Sequence, residues 1–139
     1  MAKSRSAEVS IEDDLQSLTM PPITRQTLAI YCGASGDHNP IHIDFDFARE
    51  SGLDDVIAHG MLVMAYMGRF LTSSVEQDVI RAFDARFQAM TRVGDEITVH
   101  GRVAEKFIDD DTTCVRIDLT AVNQDGEVKA VGSAIVDPD

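Results

Sequence analysis

The chain has 139 residues, 44% of them hydrophobic and 26% charged, with a formal net charge of −12. That length fits one domain, here taken as residues 1–139, and can bury a core without disulfide or metal staples. The acidic balance argues against nucleic acid and anionic membranes as partners, since such binders present a basic surface. The two cysteines, Cys32 and Cys114, lie far apart and form no metal or redox spacing. No apolar leader follows Lys3 and Arg5, and the longest uncharged run of the central segment, Gly60 to Gly68, is too short to span a bilayer. A reducing cytoplasm is the expected setting.

Residues 1 to about 14 are polar and are expected to be flexible. Leu15 to Ile23 carries Pro21-Pro22 and reads as extended, edge-like chain. Thr24 caps a helix that holds Leu28, Ile30, Tyr31 and Cys32 and ends at Gly33 to Gly36. A constrained loop follows. Its Gly36 favours a turn, and Pro40 has no N–H to give a helix. Asp44 to Glu50 forms a short helix that stops at Gly52, and Leu53 to Ala58 is loop. Gly60 to Leu71 has no polar face in its first two turns, which predicts a helix buried nearly all round and flanked by Thr72-Ser73-Ser74. Something must wrap it. Four strands do so: Phe83, Ala85, Phe87 and Ala89 alternate with polar residues, as do Ile97, Val99 and Val103, then Val115, Ile117, Leu119 and Ala121. Val128 to Val136 is the fourth. The joins are short, at Val93-Gly94-Asp95, Asp109-Asp110-Asp111 and Asn123 to Gly126. The predicted class is α+β, a curved antiparallel sheet around one long apolar helix, which is the hot-dog arrangement. A free sheet edge makes dimerisation the expectation.

Chemistry concentrates in Ser35-Gly36-Asp37-His38-Asn39-Pro40-Ile41-His42, followed by His59-Gly60. Histidine exchanges protons near neutrality, and a nearby carboxylate orients it or shares a water with it. Asp37 and His42, five residues apart on a turning loop, can meet at one point. The bland alternative is an Asx turn with a structural histidine. Asn39 can fix the loop through backbone bonds. Gly60 opens the apolar helix, where amides lack partners, the helix dipole is positive, and a missing side chain admits a ligand. Such an end can hold a carbonyl oxygen as it gains charge. His59 is read as a loop residue that sets the start of that helix. His38 and His100 are read as solvent-facing. His38, His42 and His59 lack the spacing of a metal site, and no dinucleotide loop, phosphate loop or nucleophile elbow occurs. No cofactor or metal is expected. Met61, Met64 and Met67 fall at helical spacing and read as core, or as a pliable apolar pocket. Arg69, Arg81, Arg86, Arg92 and Lys106 are the cations available for a local basic patch.

Tyr31-x-x-x-Ser35-Gly36-Asp37-x-Asn39-Pro40-Ile41-His42-x-Asp44, then Ala58-His59-Gly60-Met61, resembles the signature of the MaoC-like (R)-specific enoyl-CoA hydratases. Phe87-x-Ala89-x-x-x-Val93-Gly94-Asp95 matches as well, so the resemblance runs from about residue 20 to the end. The chain is also similar to the catalytic-type subunit of mycobacterial 3-hydroxyacyl-ACP dehydratases. The resemblance implies an Asp37/His42 dyad, a loop-orienting Asn39 and a carbonyl-binding amide at Gly60, with His59 in support. It implies reversible hydration of a trans-2-enoyl thioester carried on CoA or acyl carrier protein, giving an (R)-3-hydroxyacyl thioester. One group would take a proton from water while the other delivers one to the α carbon. Some relatives carry a serine on the central helix that holds the catalytic Asp. Gly68 stands there, which implies a roomier pocket or another orienting group. Two other readings remain: a hot-dog thioesterase, which usually places a carboxylate on the central helix, and one subunit of a heteromeric dehydratase. A homodimer or higher homo-oligomer is expected, with a heterodimer the alternative.

Overall fold

The computed structural model describes residues 13–137. Most of the segment expected to be flexible, residues 1 to about 14, lies outside them. Asp13 and Asp14 are the described part, and both are tied down: Val103 N–H donates to the Asp13 carbonyl at 2.9 Å, and Asp14 bridges to Arg102.

Strand β1 (Leu18–Thr19) precedes helix α1 (Arg25–Ser35), a 3₁₀ turn (Pro40–His42), helix α2 (Phe45–Glu50) and the long helix α3 (Gly60–Ser74). Four strands complete the chain: β2 (Ile80–Phe87), β3 (Thr98–Asp109), β4 (Thr112–Val122) and β5 (Val128–Val136). All five strands pair antiparallel in the order β1-β3-β4-β5-β2, so the short β1 and the longer β2 are the edges. This curled sheet against one helix is the hot-dog fold predicted above.

Local chemistry sets the boundaries. The Thr24 hydroxyl accepts from Thr27 N–H at 3.0 Å and starts α1, while Gly36 at φ 76° ends it in the left-handed region. Asp44 caps α2 through Phe47 N–H. Asp110 and Asp111, at φ 52° and 64°, make the two-residue hairpin between β3 and β4, a turn that needs two left-handed residues.

Val115, Ile117, Leu119 and Ala121 on β4 face the core with Val99 and Val103 of β3 and Ala134 and Val136 of β5. Against them α3 turns Leu62, Val63, Met67, Phe70 and Leu71. A Cβ on Gly101 of β3 would stand 2.5 Å from the Phe70 ring, so the missing side chain lets the helix seat this close.

Three expectations are corrected. Helix α3 is not buried all round: Met61, Ala65 and Arg69 form an exposed stripe at spacing four, with Met61 at 54% exposure. The sheet of one chain covers one side of the helix, and apolar composition does not record which side. The helix also runs through Thr72-Ser73-Ser74, because these hydroxyls donate back to the carbonyls of Arg69 and Phe70 instead of stopping the helix. Phe87 likewise leaves the core pattern of β2; it is 51% exposed, and its ring lies over Gly60. Gly101→Val should force Phe70 out of place and lower stability by about 1–3 kcal/mol. A denaturant midpoint equal to that of the parent protein would show that the helix does not depend on this contact.

Candidate active site

The loop after α1 is built from two nested turns. Asn39 N–H donates to Asp37 Oδ1 at 3.2 Å, and Ile41 N–H donates to Asn39 Oδ1 at 3.1 Å. Ser35 Oγ accepts from Asp37 N–H. The Asx turns therefore exist, and the first of them holds the Asp37 carboxylate in place. The 3₁₀ turn that Pro40 starts then points His42 back toward it. His42 Nε2 stands 3.8 Å from Asp37 Oδ2. The imidazole is 11% exposed at its side chain, while the carboxylate is 51% exposed.

His42 Nδ1 is 2.7 Å from the Ile57 carbonyl oxygen. That oxygen can only accept, so Nδ1 carries the hydrogen. The neutral ring then has its lone pair on Nε2, which faces Asp37. Ile57 N–H in turn donates to the Ile41 carbonyl, which fastens the two loops side by side.

His59 is buried to 1% exposure and caps nothing with its side chain, although it precedes α3. Instead its ring stacks on His42, with centroids 3.7 Å apart and planes 24° apart, and takes the edge of Tyr31 at 4.8 Å. Its Nε2 lies 3.3 Å from the Asp37 carbonyl oxygen and 3.4 Å from Cys32 Sγ, while Nδ1 has no partner. Burial first, then the neighbouring His42, push its pKa below the ordinary value, and the Asp37 carbonyl and carboxylate oppose them only in part. His59 is a neutral platform beneath His42, a larger role than setting the helix start. Burial, and secondarily Asp37, also raise the Tyr31 and Cys32 pKa values.

Gly60 begins α3 with no side-chain cap, so the helix end keeps amides for a ligand. It lines a cavity of about 380 Å³ with His42, Ala58, Val63, Phe87 and Met90. A Cβ on Gly60 would touch the Phe87 ring at 3.3 Å. A slightly larger hollow of about 420 Å³ lies on the outer face of the sheet between Asp84, Arg86, Arg116 and Asp118. It has no imidazole and no helix end, whereas the smaller one has both. Asp37, His42 and His59 also offer ligand atoms within 4.8 Å of one another. Stacked rings direct their in-plane lone pairs side by side, which a shared ion does not favour. The expected His38 is exposed and outside this group, as is His100. A Cβ at Gly68 would meet only the Phe83 ring, at 3.7 Å; Asp37 is oriented by the Asn39 amide. Of the five named cations, Arg81 and Arg86 share β2, while Arg69 lies on α3, Lys106 on β3 and Arg92 in the segment after β2; Arg81 is committed to Asp137.

Residues 7–124 match the MaoC like domain family. The chain belongs to the MaoC-like dehydratase family. It is 31% identical over 99 residues to an (R)-specific enoyl-CoA hydratase of Rhodospirillum rubrum, which covers 66% of this chain and 69% of that protein. It is 38% identical over 78 residues to a fatty acid synthase subunit beta of Aspergillus oryzae, and that match covers 53% of this chain but 4% of the synthase subunit. Its fold superposes on the unliganded R-hydratase of Pseudomonas aeruginosa with a TM-score of 0.85 at 27% identity, covering 97% of this chain and 86% of the other. Among the described residues no helix is long and apolar enough to cross a membrane.

Because the folded His59 pKa lies below its ordinary value of 6.5, the unfolded chain binds more protons between the two. The stability that the neutral ring contributes is complete above pH 6.5 and is lost as pH falls through the folded value. The urea midpoint should therefore drop between pH 7.5 and about 5.5, and His59→Gln should flatten that slope. An NMR titration placing the His59 pKa above 6.5 would reverse the assignment.

Proposed function

We propose that this MaoC-like protein hydrates trans-2-enoyl thioesters reversibly to (R)-3-hydroxyacyl thioesters. The observation that carries the reading is that His42, whose Nε2 lone pair is 3.8 Å from the half-exposed Asp37 Oδ2, lines a cavity together with Gly60 at the start of α3, with Asp37 standing beside that cavity and not in its lining. A gap of 3.8 Å is too long for a direct hydrogen bond and suits one water touching both atoms. The thioester carbonyl accepts from the Gly60 amide. His42 Nε2 takes a proton from the water as its oxygen bonds the β carbon. The electron pair moves through the former double bond to the carbonyl oxygen, where the helix end offsets its charge. The resulting imidazolium is stabilised by Asp37 and returns the proton to the α carbon on the face that received the hydroxyl. Water is consumed and no proton is gained or lost. Dehydration is the same path reversed.

Hydrolysis of the thioester has less support: no residue from Gly60 to Ser74 is a carboxylate. The cavity stands near the small end of ligand pockets, which favours a short acyl group. CoA or acyl carrier protein can supply the carrier. The open β2 edge and the exposed stripe on α3 favour assembly with a second copy, with a heterodimer the alternative. Free, buried Cys32 and Cys114 suit a reducing cytoplasm.

His42→Ala and Asp37→Asn should each lower hydration of a short trans-2-enoyl-CoA by ~10²–10⁴ while the circular-dichroism spectrum is kept. Full activity in either variant removes that residue from the mechanism. A panel of enoyl-CoA substrates should give the (R)-product with rates falling as the acyl chain lengthens. Release of free thiol without loss of the alkene would instead identify a thioesterase.

A further inference from the structure

Lys129 is 2% exposed, a rare state for an ammonium unless its charge is matched. It sits on β5 in the wall of the catalytic cavity. Its Nζ donates to the Met90 carbonyl at 2.8 Å, pairs with Glu127 Oε1, and lies 3.4 Å from Asp95 Oδ2. Three donors thus have three acceptors, and none is left for substrate. Asp95 is held in turn by the Arg92 amide at 2.9 Å and by the Asn123 and Gln124 side chains. The backbone of the same lysine grips the same segment, since its carbonyl accepts from Gln88 and Ala89 N–H at 2.8 and 3.4 Å.

That segment leads straight to the reacting groups. The Thr91 carbonyl accepts from Ala58 N–H at 2.8 Å, and Arg92 bridges to Ile57. The Ile57 carbonyl fixes the His42 tautomer, and Ala58 lies two residues before Gly60. We propose that Lys129 is a positioning residue for the hydration, acting through residues 88–92 and 57–58 on both the imidazole and the carbonyl-binding amide. The inference rests on the function proposed above. Without the ammonium, the Met90 carbonyl loses its donor and Asp95 loses its cation. The segment is then free to shift, and displacement of a catalytic group by about 1 Å can cost on the order of 10²-fold in rate.

The test uses Lys129→Met combined with Asp95→Asn, which removes the ammonium without leaving a buried carboxylate unpaired. Lys129→Arg is the second variant; it keeps the charge but cannot place a planar fork where a point donor met three acceptors. In the double variant kcat should fall at least about tenfold, with KM within about threefold of the parent value. Lys129→Arg should lie between the two. Nitrogen-15 NMR should show the single Nδ1–H tautomer of His42 giving way to a mixture, and the Ala58 amide should exchange faster. A parent-like kcat and an unchanged His42 tautomer in folded variants overturn the proposal. If the parent protein hydrates no enoyl thioester, the proposed function fails, and the His42 tautomer and Ala58 exchange still decide the role of Lys129.

Discussion

One hydrogen bond orders the chemistry of this site: His42 Nδ1 to the carbonyl of Ile57. Without it, the imidazole could carry its hydrogen on either nitrogen, and the lone pair could face away from the acid. With it, the lone pair is assigned to Nε2, the nitrogen that faces Asp37. The acceptor is a backbone group, so its position depends on where a whole loop lies. Residues 57 and 58 are short of helix or sheet of their own. They are held from two sides, by the Ile41 carbonyl and by the segment after β2. The geometry around His42 is thus a consequence of loop-to-loop backbone pairing, which the hot-dog sheet anchors at β5 and β2.

Charge follows the same economy. The protein is strongly acidic overall, yet the groups around the reacting nitrogen are nearly all uncharged. His59 is kept neutral by burial and by His42 above it. A neutral aromatic platform lets His42 gain a proton transiently without a second cation beneath it. The nearby carboxylate of Asp37 is half exposed and 3.8 Å away. It can steady an imidazolium without the desolvation cost of a buried ion pair.

Much of this was legible in the sequence because it is local. The caps at Thr24 and Gly36, the turn around Asn39, and the period-two strands each depend on neighbours within a few residues. Asp37 and His42 were legible as a pair for the same reason. What escaped is contact at long range. The pattern offered no sign that His59 stacks on His42, that Cys32 meets His59, or that Lys129 reaches Met90. A lysine in an antiparallel strand reads as solvent-facing until its three acceptors are known. The open stripe on α3 escaped for another reason: an apolar residue looks the same whether its own chain covers it or leaves it bare.

The two aromatic–glycine contacts show one device used for opposite ends. At Gly101 the absent Cβ lets Phe70 approach, and a fully buried ring locks α3 to the sheet. At Gly60 the absent Cβ lets Phe87 lie over the first turn of the same helix. Phe87 is half exposed, so its contribution to core stability is small. Its effect is on the medium. A ring over the helix start excludes water from one side of the amides there, and an oriented dipole acts more strongly on a developing charge when less water screens it. Phe70 thus sets where the helix lies, while Phe87 covers its first turn. The strand that ends at Phe87 continues directly into the segment that Lys129 holds, so the ring over the helix start and the backbone that borders the His42 loop are positioned by one stretch of chain.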